Sequence, residues 1–446
     1  MKKLFALVLA LCLALGMASF ASADELPTLD QIVLGENTDL AAKIHFVYHR
    51  TDLAGDDGKL AGYVKEFKEL YPNIEVEYEL ITDFAENALL RIGNNDWTIM
   101  GIPTVDKDEL SKYFIPLGDF DKLDALYNFM SQWTYEGKSY GIPSTGNANG
   151  ILYNKRIFAE AGVTELPKTP EEFIAALKAV KEKTDAIPLY TNYAAGWTMG
   201  AWDAYIGVAA TGKDTYMNQE LAHAKDPFAD QGNGTGPYAV YKILYDATAE
   251  GLIEDDYTTT DWEGCKPMLN NGQIASMVLG SWAFTQMRDA EGGEHPEDVG
   301  YMAFPISIDG KQYAPAGGDY NFAINAQASY EEKLASMYYL KWLTHESGFA
   351  YSEGGVPIDK SGEYPDLYAA FDGIDMLSDA DSLPGEETLL NEMNAESELN
   401  FNAGGNTKVQ EIIEHAFNHD KTFDEIMADW NAAWSDAQAA LNVEVK

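Results

Sequence analysis

Residues 196–203 read Gly-Trp-Thr-Met-Gly-Ala-Trp-Asp, which sets two indoles and a carboxylate in a loop loosened by glycine. An indole offers a flat apolar face, and a carboxylate accepts strong hydrogen bonds. The ligand that uses both has a flat C–H surface rimmed by hydroxyls, as a pyranose ring does. Trp197 is the expected stacking ring and Asp203 the expected hydroxyl acceptor. Trp202 is a candidate for the same site and equally a candidate for the core of its lobe.

Further residues of the same chemistry lie downstream. Trp282 follows an apolar run, Ile274 to Leu279, and then Gly280-Ser281. This places it at the carboxyl end of a buried strand, where ligands settle in open α/β sheets. Gly317-Gly318-Asp319-Tyr320-Asn321 joins a carboxylate and a ring to backbone freedom. Ser144, Thr145, Asn147 and Asn149 follow Pro143 and suit either a cleft floor or ordinary turn chemistry. Tyr48, His49, Asp96, Trp97 and Trp262 complete the candidates, with structural or rim positions as their alternative.

Other chemistries find less support. His415 and His419 stand at i, i+4 spacing, but no glutamate follows as H-E-x-x-H requires, and no third ligand is evident. No metal or cofactor is expected. No G-x-S-x-G, Walker sequence or G-x-G-x-x-G after a strand is present, so a binding protein is expected rather than an enzyme. A secreted glycan hydrolase is an alternative, since among 72 acidic residues a pair flanking a glycosidic bond is always possible on paper. Against those acids stand 30 basic residues, a net charge of −42, which repels nucleic acid and anionic lipid. The same field admits a cationic solute such as a polyamine as a second alternative.

The elements that must hold these residues fit a globular chain, 46% hydrophobic and 446 residues long, more than one core usually organises. Lys2 and Lys3, an apolar run from Leu4 to Leu15, and Ala21-Ser22-Ala23 form a signal peptide over 1–23, with cleavage expected before Asp24. Cys12 leaves with it, and Leu11 before it does not suit lipid attachment, so a soluble extracytoplasmic carrier without a lipid anchor is expected. Cys265 then remains alone, without an internal disulfide. Lys43 to Tyr48 and Ile74 to Leu80 are expected strands. Between them Leu60, Val64, Phe67 and Tyr71 mark a helix stopped by Pro72, which makes a βαβ unit with a parallel sheet. Ile151 to Tyr153 and Ile187 to Tyr190 are further expected strands. Thr169-Pro170-Glu171-Glu172 opens a capped helix, and Tyr238 to Leu252, Leu334 to Leu343 and Val409 to Leu441 are helical.

An ordered series of segments resembles the extracellular solute-binding proteins of sugar ABC transporters, the group that includes maltose-binding protein. The series begins with Tyr140-Gly141-Ile142-Pro143. It continues through Ile151-Leu152-Tyr153-Asn154-Lys155, Phe158, Ala161-Gly162, Pro167-Lys168-Thr169 and Glu172-Phe173. Leu269 to Trp282 follows, then Phe304-Pro305, Gly317-Gly318, Phe322-Ala323-Ile324, Gly354-Gly355-Val356-Pro357 and the helix near Trp434. The chain departs from many relatives in lacking a lipobox. It also has Gly93-Asn94-Asn95-Asp96-Trp97 where a Pro-Asp pair often stands.

The resemblance implies a two-lobed α/β fold of the periplasmic-binding type. Each lobe would hold a central, mainly parallel sheet flanked by helices, with 24–144 and 304–343 in one lobe and 145–303 and 344–446 in the other. Hinge segments near Pro143, Phe304-Pro305 and Leu343-Thr344 would let the lobes close on a mono- or oligosaccharide. Trp282 would be a stacking ring. The partners implied are the permease subunits of an importer, met by a monomer. Small-angle scattering with and without saturating ligand should therefore show compaction, since a ligand bridging both lobes shifts the population toward closure. An unchanged radius of gyration would count against hinge closure.

Overall fold

A computed structural model describes residues 26–446, apart from 56, 57, 82, 83, 104 and 402–405; the expected signal peptide and its cleavage site lie outside the described residues. Among the described residues thirteen strands follow in chain order. They are β1 Ala42–Tyr48, β2 Ile74–Leu80, β3 Ile99–Gly101, β4 Gly118–Asp119, β5 Thr134–Tyr135, β6 Lys138–Ser139 and β7 Ile142–Pro143. Then come β8 Gly146–Asn154, β9 Ser276–Gly280, β10 Val299–Ala303, β11 Tyr313–Gly318, β12 Asn321–Ile324 and β13 Asp375–Leu377.

The chain divides into two compact units. The first takes residues up to Leu123, then Trp133–Ile142 and Phe322–Leu343; the second takes Asp124–Gln132, Pro143–Asn321 and Thr344–Lys446. Residues 304–321, expected on the first lobe, thus pack in the second unit. The reason is Phe304, which stacks on Tyr205 with ring centroids 4.2 Å apart and is fully buried.

The first unit carries the βαβ start. β1 pairs in parallel with β2, from Ala42 opposite Ile74 to Tyr48 opposite Leu80, and with β3 through Phe46 and Ile99. β12 closes on β3 antiparallel. The intervening helix Lys59–Leu70 buries Leu60, Tyr63 and Phe67, and ends one residue before Tyr71 and Pro72. Val64, expected inward, is only partly covered because the buried stripe runs through Tyr63. The core is aromatic: Phe46 stacks on Tyr78 at 4.8 Å, and Phe67 meets Tyr339 edge-on at 4.8 Å. The two tyrosine hydroxyls of Tyr78 and Tyr339 bond at 2.7 Å, which satisfies both inside that core.

The second unit differs from the expected parallel sheet. Its spine is β8, antiparallel to β10, to β9 and to β11. β8 runs against every strand that the chain later lays beside it. Among the described residues, parallel pairing here is confined to β11 with β13 and to isolated bridges at Ile187–Ile274 and Leu189–Ile253. The expected strand over 187–190 shrinks to those bridges, since Pro188 between them has no N–H to donate.

Helix Pro170–Lys183 starts as expected, with the Thr169 hydroxyl accepting from the Glu172 N–H at 3.3 Å, and it buries Phe173, Leu177 and Val180. The helical C-terminal region is two helices, Thr407–Asn418 and Phe423–Ala440. His419 at φ 53° ends the first, and Thr422 with Glu425 forms a capping box for the second. The i, i+4 register of His415 and His419 is lost there, and His415 instead pairs with Asp420 at 2.8 Å.

Gly150 sits in the middle of β8, where a Cβ would lie 2.3 Å from the Met302 carbonyl oxygen and 3.1 Å from the Tyr301 ring. Backbone cannot move aside as a side chain can. Gly150→Ala should therefore lower the unfolding free energy by about 1–3 kcal/mol or more, measured by denaturant titration.

Candidate functional site

In the second unit three indoles meet. Trp197 and Trp262 have centroids 5.0 Å apart at an interplanar angle of 81°, Trp197 and Trp282 5.7 Å at 49°, and Trp262 and Trp282 5.8 Å at 54°. Edge-to-face and tilted contacts of this kind suit the ring quadrupole and lock the rings mutually. Trp197 keeps 37% of its surface exposed, and the other two are partly buried.

Each indole arrives by a different route. Trp282 leaves the carboxyl end of β9 and caps helix Ala283–Arg288. A Cβ on Gly280 would lie 2.6 Å from the indole Nε1, so only glycine lets that ring fold back over the strand end. Trp262 opens helix Trp262–Asn270, whose N-cap Asp261 accepts from the N–H groups of Glu263 at 3.2 Å and Gly264 at 3.0 Å. Trp197 opens a single turn after Gly196, whose φ of 71° lies in the region glycine favours.

Polar groups lie beside the rings. Asn147 and Asn149 are half-exposed on one face of β8, as residues two apart in a strand must be. Asn149 is opposite Gly280, and its Oδ1 lies 3.0 Å from where a Gly280 Cβ would be. Asn147 is opposite Gly317, beside which a Cβ would meet nothing within 4 Å. The two amides are thus flanked by glycines on both neighbouring strands. Ser281 ties this floor together: its hydroxyl accepts from the Ala148 N–H at 3.1 Å, lies 3.4 Å from Asn147 Oδ1 and bonds Tyr368 Oη at 2.8 Å.

The structure corrects several expected site residues. Trp202 is 2% exposed and packs edge-on against Phe304, so it belongs to the core. Asp203 is wholly buried, accepting from Tyr241 Oη at 2.7 Å and Asn406 Nδ2 at 2.8 Å, so its carboxylate is spent inside the fold. Both lie on the turn Ala201–Tyr205, which carries them inward within a few residues of Trp197. Thr145 is buried with its hydroxyl 3.4 Å from the Val356 carbonyl. Gly318 packs under Pro143, where a Cβ would come within 2.8 Å. Asp319 and Tyr320 remain half-exposed, held by the Asp319 N–H to the Thr145 carbonyl at 2.8 Å, while the carboxylate accepts from the Tyr320 N–H at 2.8 Å.

The first unit's candidates fall apart. Tyr48 is 2% exposed in the core against Phe322, and His49 lies edge-on to Tyr48 at 4.7 Å and to Phe84 at 5.8 Å. Trp97 is buried, its indole N–H donating to the Arg91 carbonyl at 3.2 Å. Asp96 pairs with Arg91 at 3.0 Å and precedes β3, which puts it at the amino end of a parallel sheet whose ligand end is the carboxyl one. It lines a cavity of about 280 Å³ with Lys43, His45 and Glu77. Trp262, a candidate whose alternative is a structural or rim position, lies against both Trp197 and Trp282.

The bacterial extracellular solute-binding protein model matches residues 51–348. The chain belongs to that family. This solute-binding protein is similar to two solved proteins of Bifidobacterium animalis subsp. lactis. One is a manno-oligosaccharide-specific solute-binding protein in complex with mannotriose: 46% identical, TM-score 0.87, covering 93% of this chain and 99% of that one. The other is a binding protein of an ABC transporter in complex with mannobiose: 47% identical, TM-score 0.87, with the same coverage. A multiple sugar-binding protein of Streptococcus mutans is 24% identical over 73% of this chain and 77% of its own. All three are binding proteins, one of them of an ABC transporter, and the family is extracellular.

Burial separates the tryptophans by role. Trp202→Ala should cost about 3–5 kcal/mol of stability, and Trp197→Ala no more than about 1 kcal/mol, in parallel thermal melts. Equal losses would show that the exposed ring is as structural as the buried one.

Proposed function

We propose that this solute-binding protein captures a manno-oligosaccharide against the Trp197, Trp262 and Trp282 platform and delivers it to the membrane subunits of an ABC importer. The observation that carries the reading is the juxtaposition of three indoles with the amides of Asn147 and Asn149. A mannose ring buries its C–H face on indole, and its hydroxyls need partners that both donate and accept, as an amide does. The substrate class rests on the 46–47% identity to the two Bifidobacterium proteins solved with mannotriose and mannobiose. The finer points belong to the same proposal: the mature chain begins at Asp24, and it works as a monomer.

Calorimetric titration with mannobiose, mannotriose, maltotriose and spermidine tests it. Mannotriose should bind, and its affinity should change little between about 0.05 and 0.5 M salt, because no net charge is transferred. Trp197→Ala and Trp282→Ala should each weaken binding about tenfold or more. The reading falls if wild type prefers spermidine or ignores both mannosides, or if both variants keep wild-type affinity. Release of shortened products from mannotriose would instead make the protein a hydrolase.

A further inference from the structure

A buried carboxylate stands behind the platform, and none of the chemistry above uses it. Glu254 is 5% exposed. It accepts from the Thr191 N–H at 3.2 Å through Oε1 and at 2.9 Å through Oε2, and from the Thr191 hydroxyl. The Asn192 backbone N–H also pulls its carboxyl down. Among the described residues no lysine, arginine or histidine pairs with it, and burial pushes its carboxyl above the ordinary range against the pull of those donors. A glutamate held this way is expensive, so its place in the fold needs a reason.

Its position supplies one. Two segments carry two of the three indoles, Trp197 on 189–200 and Trp262 on 253–262. Glu254 sits at the start of the second and grips the first. Beyond that grip, the Leu189–Ile253 bridge, the Ala194 N–H to Thr260 Oγ1 at 2.8 Å and the Asp261 N–H to Tyr190 Oη at 2.9 Å run between the same segments. The grip passes on toward Trp197 through the Asn192 carbonyl, which accepts from the Thr198 hydroxyl at 2.7 Å and the Ala195 N–H at 3.2 Å, and through the Tyr193 N–H to Thr191 Oγ1 at 3.2 Å. Asn192 itself is fully buried at φ 56°, with neither atom of its side-chain amide bonded. A strained residue with an unmet amide does not hold a loop by its own preference. The loop is held from outside, at Thr191 by the carboxylate and further on by Thr260, Glu414 and Gln410.

We propose that Glu254 is a positioning residue of the ligand platform: by fixing Thr191 and Asn192 against the segment that bears Trp262, it sets the angle between the Trp197 and Trp262 rings. The proposal rests on the reading of those rings as the sugar-stacking surface.

The test uses Glu254→Gln, which keeps the shape and halves the acceptors, and Thr191→Val, which deletes one donor to the same group. Thr191→Ser is the conservative rescue. Three quantities are read: mannotriose affinity, melting temperature, and the far-ultraviolet exciton couplet of the touching indoles, identified by its loss in Trp197→Phe. Glu254→Gln and Thr191→Val should each weaken mannotriose about tenfold or more and shrink the couplet, with cooperative unfolding retained, while Thr191→Ser restores both. The proposal is overturned if affinity falls with an unchanged couplet, if the couplet shrinks with unchanged affinity, or if neither moves. Should Glu254→Gln fail to fold, the Thr191 pair decides. Should wild type bind no mannoside, the ligand assignment fails, and the couplet in the same variants still decides whether Glu254 sets the ring angle.

Discussion

Rings in mutual contact restrain one another only if each stands on backbone that is already fixed. An indole that must be ordered on binding gives up part of the affinity it supplies. In this protein Trp282 is fixed by the end of a buried strand and by the absence of a side chain at Gly280. Trp262 is fixed by a capped helix start, and Trp197 by a loop whose shape is set from the Glu254 side. The platform is therefore a product of long-range packing rather than of the short motif in which its most exposed ring lies.

The antiparallel spine of the second unit has a consequence for the polar floor. Because β8 has β11 beside its first half and β9 beside its second, side chains two apart on it face two different neighbours. Asn147 faces Gly317, and Asn149 faces Gly280. A side chain at Gly280 would crowd the Asn149 amide and displace the indole, while Gly317 leaves open space beside Asn147. A wholly parallel sheet presents its strand ends to ligand; here the middle of a strand contributes as well. That is why the asparagines after Pro143 make a surface rather than a turn.

What could be read from sequence follows the range of the interaction. The βαβ start, the cap at Thr169 and the exposed, glycine-flanked Trp197 are local patterns, and local patterns survive in a linear chain. Trp202 and Asp203 share the Trp197 motif and its chemistry, yet a single turn sends them into the core, and burial direction at a turn has no period to read. Trp262 and Glu254 had no motif at all. Their importance comes from partners far along the chain, Trp197 for one and Thr191 for the other. The one nearby signal was Asp261, an N-cap residue that predicts where the helix and its first indole begin.

The choice between a neutral and a cationic ligand turns on how charge is arranged, not on how much there is. A net charge of −42 draws cations to the whole surface, but a site for one needs carboxylates aimed at it or an open aromatic face. One ring of the platform, Trp262, already carries a cation of the protein's own over one face. Lys266 places its ammonium 4.8 Å from the centre of the Trp262 ring and pairs with Glu263 at 2.8 Å. Asp203 and Glu254, on the segments that bear Trp197 and Trp262, point into the protein and are held by donors, while Asp261 caps its helix and Glu263 pairs with Lys266. The polar groups of the β8 floor beside the rings are the amides of Asn147 and Asn149, whose oxygen accepts and whose nitrogen donates. An ammonium ligand could use only the oxygen and would leave the NH₂ facing a like donor. A sugar hydroxyl, both donor and acceptor, can satisfy each side of the amide while its ring lies on indole.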